Sequence, residues 1–164
     1  MSASTELAAP AATPLPSSLR QAIDEIEREH AMLAERLARL RGLLACVPGE
    51  GRCEVCDRLE AIDCRSAHTE FLGELLELMH NHFRVEEAAM RMLDATPAEH
   101  EADAAHIEAH ADMMERAVDV VRLTGLQEER GAAHKLIEDW LSEHIAGDDV
   151  GLLGRLRRAT AAAG

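Results

Sequence analysis

Aromatic residues are scarce in this chain of 164 residues, which has no tyrosine, two phenylalanines and one tryptophan. A core of this size must therefore be built mainly from aliphatic side chains. Lysine is almost absent as well, since Lys135 is the single one, and 17 Lys+Arg against 31 Asp+Glu give a net charge of −14. A nucleic acid or an anionic membrane surface requires clustered basic residues, so the composition argues against both as partners.

Proline and long apolar runs are also rare. After residue 16 the only prolines are Pro48 and Pro97, and no stretch approaches the 18 or more apolar residues of a membrane span. Residues 1–17, rich in Ala, Pro, Ser and Thr, show no basic segment before an apolar run, as a secretory leader would. We predict a disordered tail over 1–17, one domain over 18–164 and a cytoplasmic location.

Apolar residues recur at steps of three and four along most of the chain, which predicts long amphipathic helices. We predict helix A from Ser17 or Ser18 to about 45, helix B over about 57–93, helix C from Pro97, helix D from 126 to about 146, and a short fifth segment over 150–159. Short turns favour antiparallel neighbours. The predicted fold is all-α: an up-down-up-down antiparallel four-helix bundle with a short C-terminal helix and an extended A/B hairpin.

Polar residues occupy the apolar seams of all four predicted helices, namely His30, His82, Glu86, His106, His110 and His144. One buried histidine is ordinary, because a carbonyl or a water can satisfy it. Six such groups left unpaired would each cost about 1–3 kcal/mol. The pairs 82/86 and 106/110 are each four residues apart, so both members project from one helix face. We interpret the six as metal ligands in one layer.

Imidazole and carboxylate ligands together suit iron, manganese or zinc. Five histidines are too many for one ion that also keeps an open position, and a bridging carboxylate favours two ions. Glu86 is one candidate bridge, and Asp148 or Asp149, just beyond His144, is the other. The residues alone therefore predict a centre for two metal ions.

Four segments resemble motifs of the hemerythrins, the non-haem di-iron proteins that bind oxygen. They are residues 23–30 (IDEIEREH), 82–90 (HFRVEEAAM), 106–110 (HIEAH) and 140–149 (WLSEHIAGDD). The resemblance spans about 18–151 and is to bacterial hemerythrin-like proteins with an HHE cation-binding domain. The chain departs from the family pattern in its longer stretches between His30 and His82 and between His110 and His144, and in its lack of tyrosine.

The resemblance implies two iron ions joined by an oxo or hydroxo bridge. One ion would be held by His106, His110 and His144, and the other, which keeps an open position for dioxygen, by His30 and His82. Glu86 and Asp149 would bridge them, with Asp149 preferred to Asp148 because the family aspartate follows the last histidine at an interval of five. Apolar residues that match the wall of the family's oxygen pocket are Phe83, Trp140, Leu141 and Ile145.

All four cysteines precede the second predicted ligand, at Cys46, Cys53, Cys56 and Cys64, and His68 follows Cys64 by four residues. Cys64 lies about 27 Å along a helix from His82, so these thiols belong to a separate location at the tip of the A/B hairpin. Three interpretations stand open: a zinc site, a redox-active dithiol pair, or ordinary reduced cysteines.

The sequence thus predicts a protein that binds dioxygen reversibly, as a carrier, store or sensor, and is not a dedicated enzyme. One alternative is oxidase or peroxide chemistry, or a role in nitric-oxide stress or iron-centre repair, at the same irons. The other is a redox- or metal-responsive regulator that uses the cysteines.

Overall fold

A computed structural model describes residues 14–44, 58–123 and 126–163 of the chain. Every element assigned within these ranges is a helix. In chain order they are α1 (Leu19–Leu44), α2 (Arg58–Met90), α3 (Pro97–Arg122), α4 (Leu126–Asp139), a π-helix (Trp140–Asp149) and α5 (Val150–Ala162). The predicted all-helical class is confirmed for the described residues, and the helices pack as a bundle.

Helix α3 begins where the sequence predicts. The side chain of Thr96 accepts a hydrogen bond from the backbone N–H of Glu99, while the carboxylate of Glu99 accepts one from the N–H of Thr96 at 2.8 Å. Pro97 follows at the first helical position, where its missing N–H costs nothing. This reciprocal cap satisfies N–H groups that the first turn leaves without partners, and it fixes the start of the helix that carries His106 and His110.

Among the residues that the structure describes, two apolar clusters form the core, one on each side of a polar layer. The first draws on α1 to α4 and the start of the π-helix, and includes Leu33, Leu75, Met79, Met113 and Trp140. The second joins α1, the end of α2 and α5, and consists of Ala22, Ile26, Val85, Ala89, Met90, Leu152, Leu153 and Leu156. Along α1 the order is Ile26, then Glu29 and His30, then Leu33, so the polar residues lie between the clusters.

The C-terminal third differs from the prediction. The sequence predicts that helix D ends near residue 146, ahead of a separate fifth segment, but α4 ends at Asp139 and passes through the π-helix directly into α5. A π-helix has more residues per turn than an α-helix. Residues five apart, about 140° apart around an α-helix, therefore come close to one face. His144 and Asp149 have this spacing, and both are buried.

The up-down order of the helices and the extent of the A/B hairpin stay predictions, because residues 45–57 are outside the described ranges. The same holds for the division into a tail over 1–17 and a domain over 18–164. Among the described helices, none combines the length and apolar character needed to cross a membrane.

Candidate metal centre

Seven polar side chains meet in the layer between the two apolar clusters. They come from α1, α2, α3 and the π-helix, and they are His30, His82, Glu86, His106, His110, His144 and Asp149. Six of them are at most 6% exposed, and the side chain of His30 is 20% exposed. All seven residues that the resemblance implies as ligands are therefore in this layer, whereas Asp148, the alternative bridge, is not among them and has a side chain 48% exposed. Their role as ligands stays a prediction.

A first group consists of Glu86, His106, His110 and His144, whose ligand atoms all lie within 4.8 Å of one another. Oε2 of Glu86 is 3.1 Å from Nε2 of His110 and 3.4 Å from Nε2 of His144. Nε2 of His106 lies 3.5 Å from the same oxygen. Three imidazole nitrogens and one carboxylate oxygen thus lie close enough together to hold one metal ion.

A second group consists of His30, His82, Glu86 and Asp149, whose ligand atoms also all lie within 4.8 Å of one another. Oδ2 of Asp149 is 2.8 Å from Nε2 of His30 and 3.2 Å from Nε2 of His82. Its other oxygen, Oδ1, is 3.2 Å from Nε2 of His144 in the first group. The two groups are therefore joined twice, because they share Glu86 and because Asp149 turns one oxygen toward each.

The donor atoms of the layer are poorly matched to one another and well matched to a cation. Nε2 of His106 and Nε2 of His144 are only 3.4 Å apart. Oε1 of Glu86 is buried without a hydrogen-bond partner among the described residues, although buried polar atoms almost always have one. Imidazole nitrogens with carboxylate oxygens suit iron, manganese or zinc. The residues therefore fit metal ions.

Opposite charges within the layer shift the ionisation of its members. Burial lowers the pKa of His82, but the charge of Glu86 and the hydrogen bonds with Asp149 and Glu29 outweigh burial and raise that pKa to about 10. Burial likewise opposes protonation of His106, and hydrogen bonds with Asp149 and Glu86 raise its pKa to about 9. Burial raises the pKa of the two carboxyls, yet the neighbouring imidazoles hold both below their ordinary values. A cation would compete with these imidazole protons, because ligating histidine is neutral.

Three further carboxylates contact the outer nitrogens of the histidines. Oε2 of Glu29, a residue only 3% exposed, is 3.1 Å from Nδ1 of His82. Glu87 is 3.4 Å from Nδ1 of His110, and Asp148 is 3.5 Å from Nδ1 of His144. Such contacts orient an imidazole and increase its basicity toward a metal.

Sequence reasoning missed Glu29 and Glu87 and considered Asp148 only as a bridge. A signal was present, because each of the three stands beside a nominated ligand in the sequence: Glu29 before His30, Glu87 after Glu86 and Asp148 before Asp149.

Phe83 and Trp140 pack against histidines of the layer. The ring of Phe83 stacks on His110 with centroids 4.1 Å apart and an interplanar angle of 12°. The ring centroids of Trp140 and His82 are 5.8 Å apart. Phe83 and Trp140 are both almost fully buried. Leu141 and Ile145 are half-buried and pack against the first apolar cluster. The four residues predicted to line an oxygen pocket thus include two in direct contact with nominated ligands.

The predicted cysteine site falls largely outside the described residues. Cys46, Cys53 and Cys56 lie beyond them, and of Cys64 only the backbone, within α2, is described. His68 is fully buried in α2 and belongs to neither group of the metal centre. The zinc and dithiol interpretations therefore stay predictions.

Comparison with known proteins yields one match. The family model described as Hemerythrin HHE cation binding domain matches residues 21–156, which include every member of both groups. No curated protein and no solved structure matches the chain.

Proposed function

The chain belongs to the hemerythrin family, whose HHE domain binds cations, and on that premise we propose that it holds two iron ions and binds dioxygen reversibly as a carrier, store or sensor. The observation that carries this proposal is the joining of two four-residue groups through Glu86 and Asp149. Seven donors in one layer exceed what a single ion needs. Carboxylates between two sets of imidazoles are the arrangement expected for a pair of ions.

The two groups would have different tasks. His106, His110 and His144 give the first group three imidazoles, whereas His30 and His82 give the second only two. The second group therefore leaves room for an external ligand. Iron in these positions would supply the redox activity that binding of dioxygen requires.

The protein's own contribution is to position these donors and to keep water out. Glu29 holds His82, and Asp148 lies beside Nδ1 of His144, so the imidazole rings are oriented before a cation arrives. Phe83 and Trp140 pack against histidines of the layer. A dry, apolar wall slows the side reactions that water and protons cause, and this favours reversible binding of dioxygen over its consumption.

An optical titration tests the proposal. Protein loaded with ferrous iron under anaerobic conditions is exposed to dioxygen, and its visible absorption is recorded before and after the gas is removed under argon. We expect a new visible band that appears with oxygen and disappears without it over repeated cycles. Immediate oxidation that removal of oxygen does not reverse would contradict carriage and would favour the oxidase, peroxide or stress-response alternative.

We also retain a zinc ion or a redox-active dithiol at the cysteines as a proposal. It is supported by the C-x2-C spacing of Cys53 and Cys56 and by the full burial of His68 one helical turn after Cys64. Zinc analysis of the wild type beside Cys53→Ser, together with a thiol count before and after reduction, tests it. The proposal would be refuted if neither protein contained zinc and the wild type had four titratable thiols before reduction as well as after it.

A further inference from the structure

A cleft of about 460 Å³ lies between the first half of α3 and the junction of the π-helix with α5. His106, a member of the three-histidine group, lines it. His106 is itself only 6% exposed, so the cleft brings open space up to the edge of an otherwise buried centre.

The cleft is open because small residues form its walls. Ala98 and Ala102 line it from α3, and Gly147 and Gly151 line it from the opposite side. A Cβ placed on either glycine would meet no neighbouring heavy atom within 4 Å. The backbone of both glycines therefore leaves room for a side chain to begin.

The side chains that line the cleft carry a small excess of negative charge. Its lining includes three carboxylates and two guanidinium groups, which gives 2 − 3 = −1. Arg155 is paired with Asp103. Asp148 has a side chain 48% exposed and lies 3.5 Å from Nδ1 of His144. A carboxylate at the edge of a cleft, on a chain whose net charge is −14, attracts cations and raises their local concentration.

We propose that this cleft is the path by which a divalent metal ion enters the centre, with Asp148 at its edge and His106 as the first of the centre's histidines that the ion meets. The inference rests on the metal-binding part of the proposed function. It also predicts the order in which the two groups bind metal: the three-histidine group binds its ion first.

The single tryptophan provides the measurement. Trp140 is next to His82 and Phe83, so a paramagnetic ion such as Co²⁺ in the centre should quench its fluorescence. Stopped-flow mixing of apoprotein with Co²⁺ gives the rate of entry, and metal analysis gives the final number of ions. Gly151→Leu fills the cleft, and because leucine is a better helix former than glycine by about 0.8 kcal/mol, the variant should fold.

We expect Gly151→Leu to slow quenching on the order of tenfold, which is a barrier higher by about 1.4 kcal/mol, while the final number of bound ions stays that of the wild type. Ala102→Leu on the facing wall should behave alike. Asp148→Asn should slow entry on the order of threefold and weaken its dependence on salt. Gly73→Leu is the matched control, because Gly73 is an equally unhindered helical glycine that does not line the cleft.

Two results would overturn the inference. Wild-type rates in both Gly151→Leu and Ala102→Leu would mean that the ion enters elsewhere, for instance past the partly exposed His30. Equal slowing by Gly73→Leu would mean that the effect is not specific to the cleft. Failure of the wild type to bind Co²⁺ or Fe²⁺ at all would instead contradict the proposed function itself, so the two failures are distinguishable.

Discussion

The two halves of the candidate metal centre share Glu86 but differ in their number of imidazoles and in the exposure of their histidines. The half with His106, His110 and His144 has three histidines, each at most 6% exposed. The other half has two, and the side chain of His30 is 20% exposed. More donors and deeper burial favour retention of an ion, whereas fewer donors leave a position for a ligand. We therefore expect one half to hold its ion firmly and the other to perform the exchange chemistry.

The outer carboxylates show a second contrast. Glu29, which supports His82 in the two-histidine half, is 3% exposed. Asp148, which supports His144 in the three-histidine half, is 48% exposed. A buried charge acts on its neighbour with less screening by water than an exposed one. The carboxylate beside His82 is thus less screened by water than the one beside His144.

Replacement of His106 should cause the largest loss of metal. We expect His106→Ala to lower the iron content below one ion per chain, because it removes a donor from the half that should bind most tightly, and metal binding is coupled to folding. Iron analysis after anaerobic reconstitution measures this. His100→Ala, at an exposed position of the same helix, is the matched control. Retention of two ions by His106→Ala would refute the assignment of His106 as a ligand.

Replacement of His30 should have a smaller and more selective effect. His30→Ala leaves the three-histidine half intact, so we expect the chain to retain about one ion and to lose the other, together with oxygen binding. Iron analysis beside the optical titration with dioxygen tests this expectation. Equal iron loss in His30→Ala and His106→Ala would mean that the two halves do not differ in the way their donors suggest.

Much of this arrangement could be predicted from helical periodicity. The 82/86 and 106/110 pairs fall on apolar seams at intervals of four, which places each pair on one buried face. The start of α3 at Pro97 followed from the Thr96 and Glu99 cap.

The π-helix could not be predicted in this way. Apolar spacing indicates which face is buried but not a local change in the number of residues per turn, so 140–149 resembled the end of an α-helix followed by a break. Glu29 and Glu87 were missed for a related reason. Acidic residues on a helix usually face solvent, and only the packing of a second helix turns them toward a histidine.

The outer carboxylates allow a graded test. Glu29→Gln keeps a hydrogen-bond acceptor near Nδ1 of His82 but removes its charge, and we expect affinity for the ion of that half to fall about 10- to 100-fold. Asp148→Asn, at its more exposed position, should change equilibrium affinity by less than about tenfold. Competition with a metal chelator measures both. A larger loss for Asp148→Asn than for Glu29→Gln would reverse the contrast drawn from burial.

The smallest expected effect concerns the helix start rather than the centre. Thr96→Ala removes the side-chain oxygen that accepts from the N–H of Glu99, and we expect it to lower the free energy of unfolding by about 1 kcal/mol, as measured by urea denaturation of the apoprotein. The cap lies ten residues before His106, so the number of bound ions and the oxygen titration should stay those of the wild type. Loss of an ion in this variant would show that metal binding by the three-histidine half depends on the position of the whole of α3. The tighter binding expected of this half would then come from the placement of the helix and not from the third imidazole.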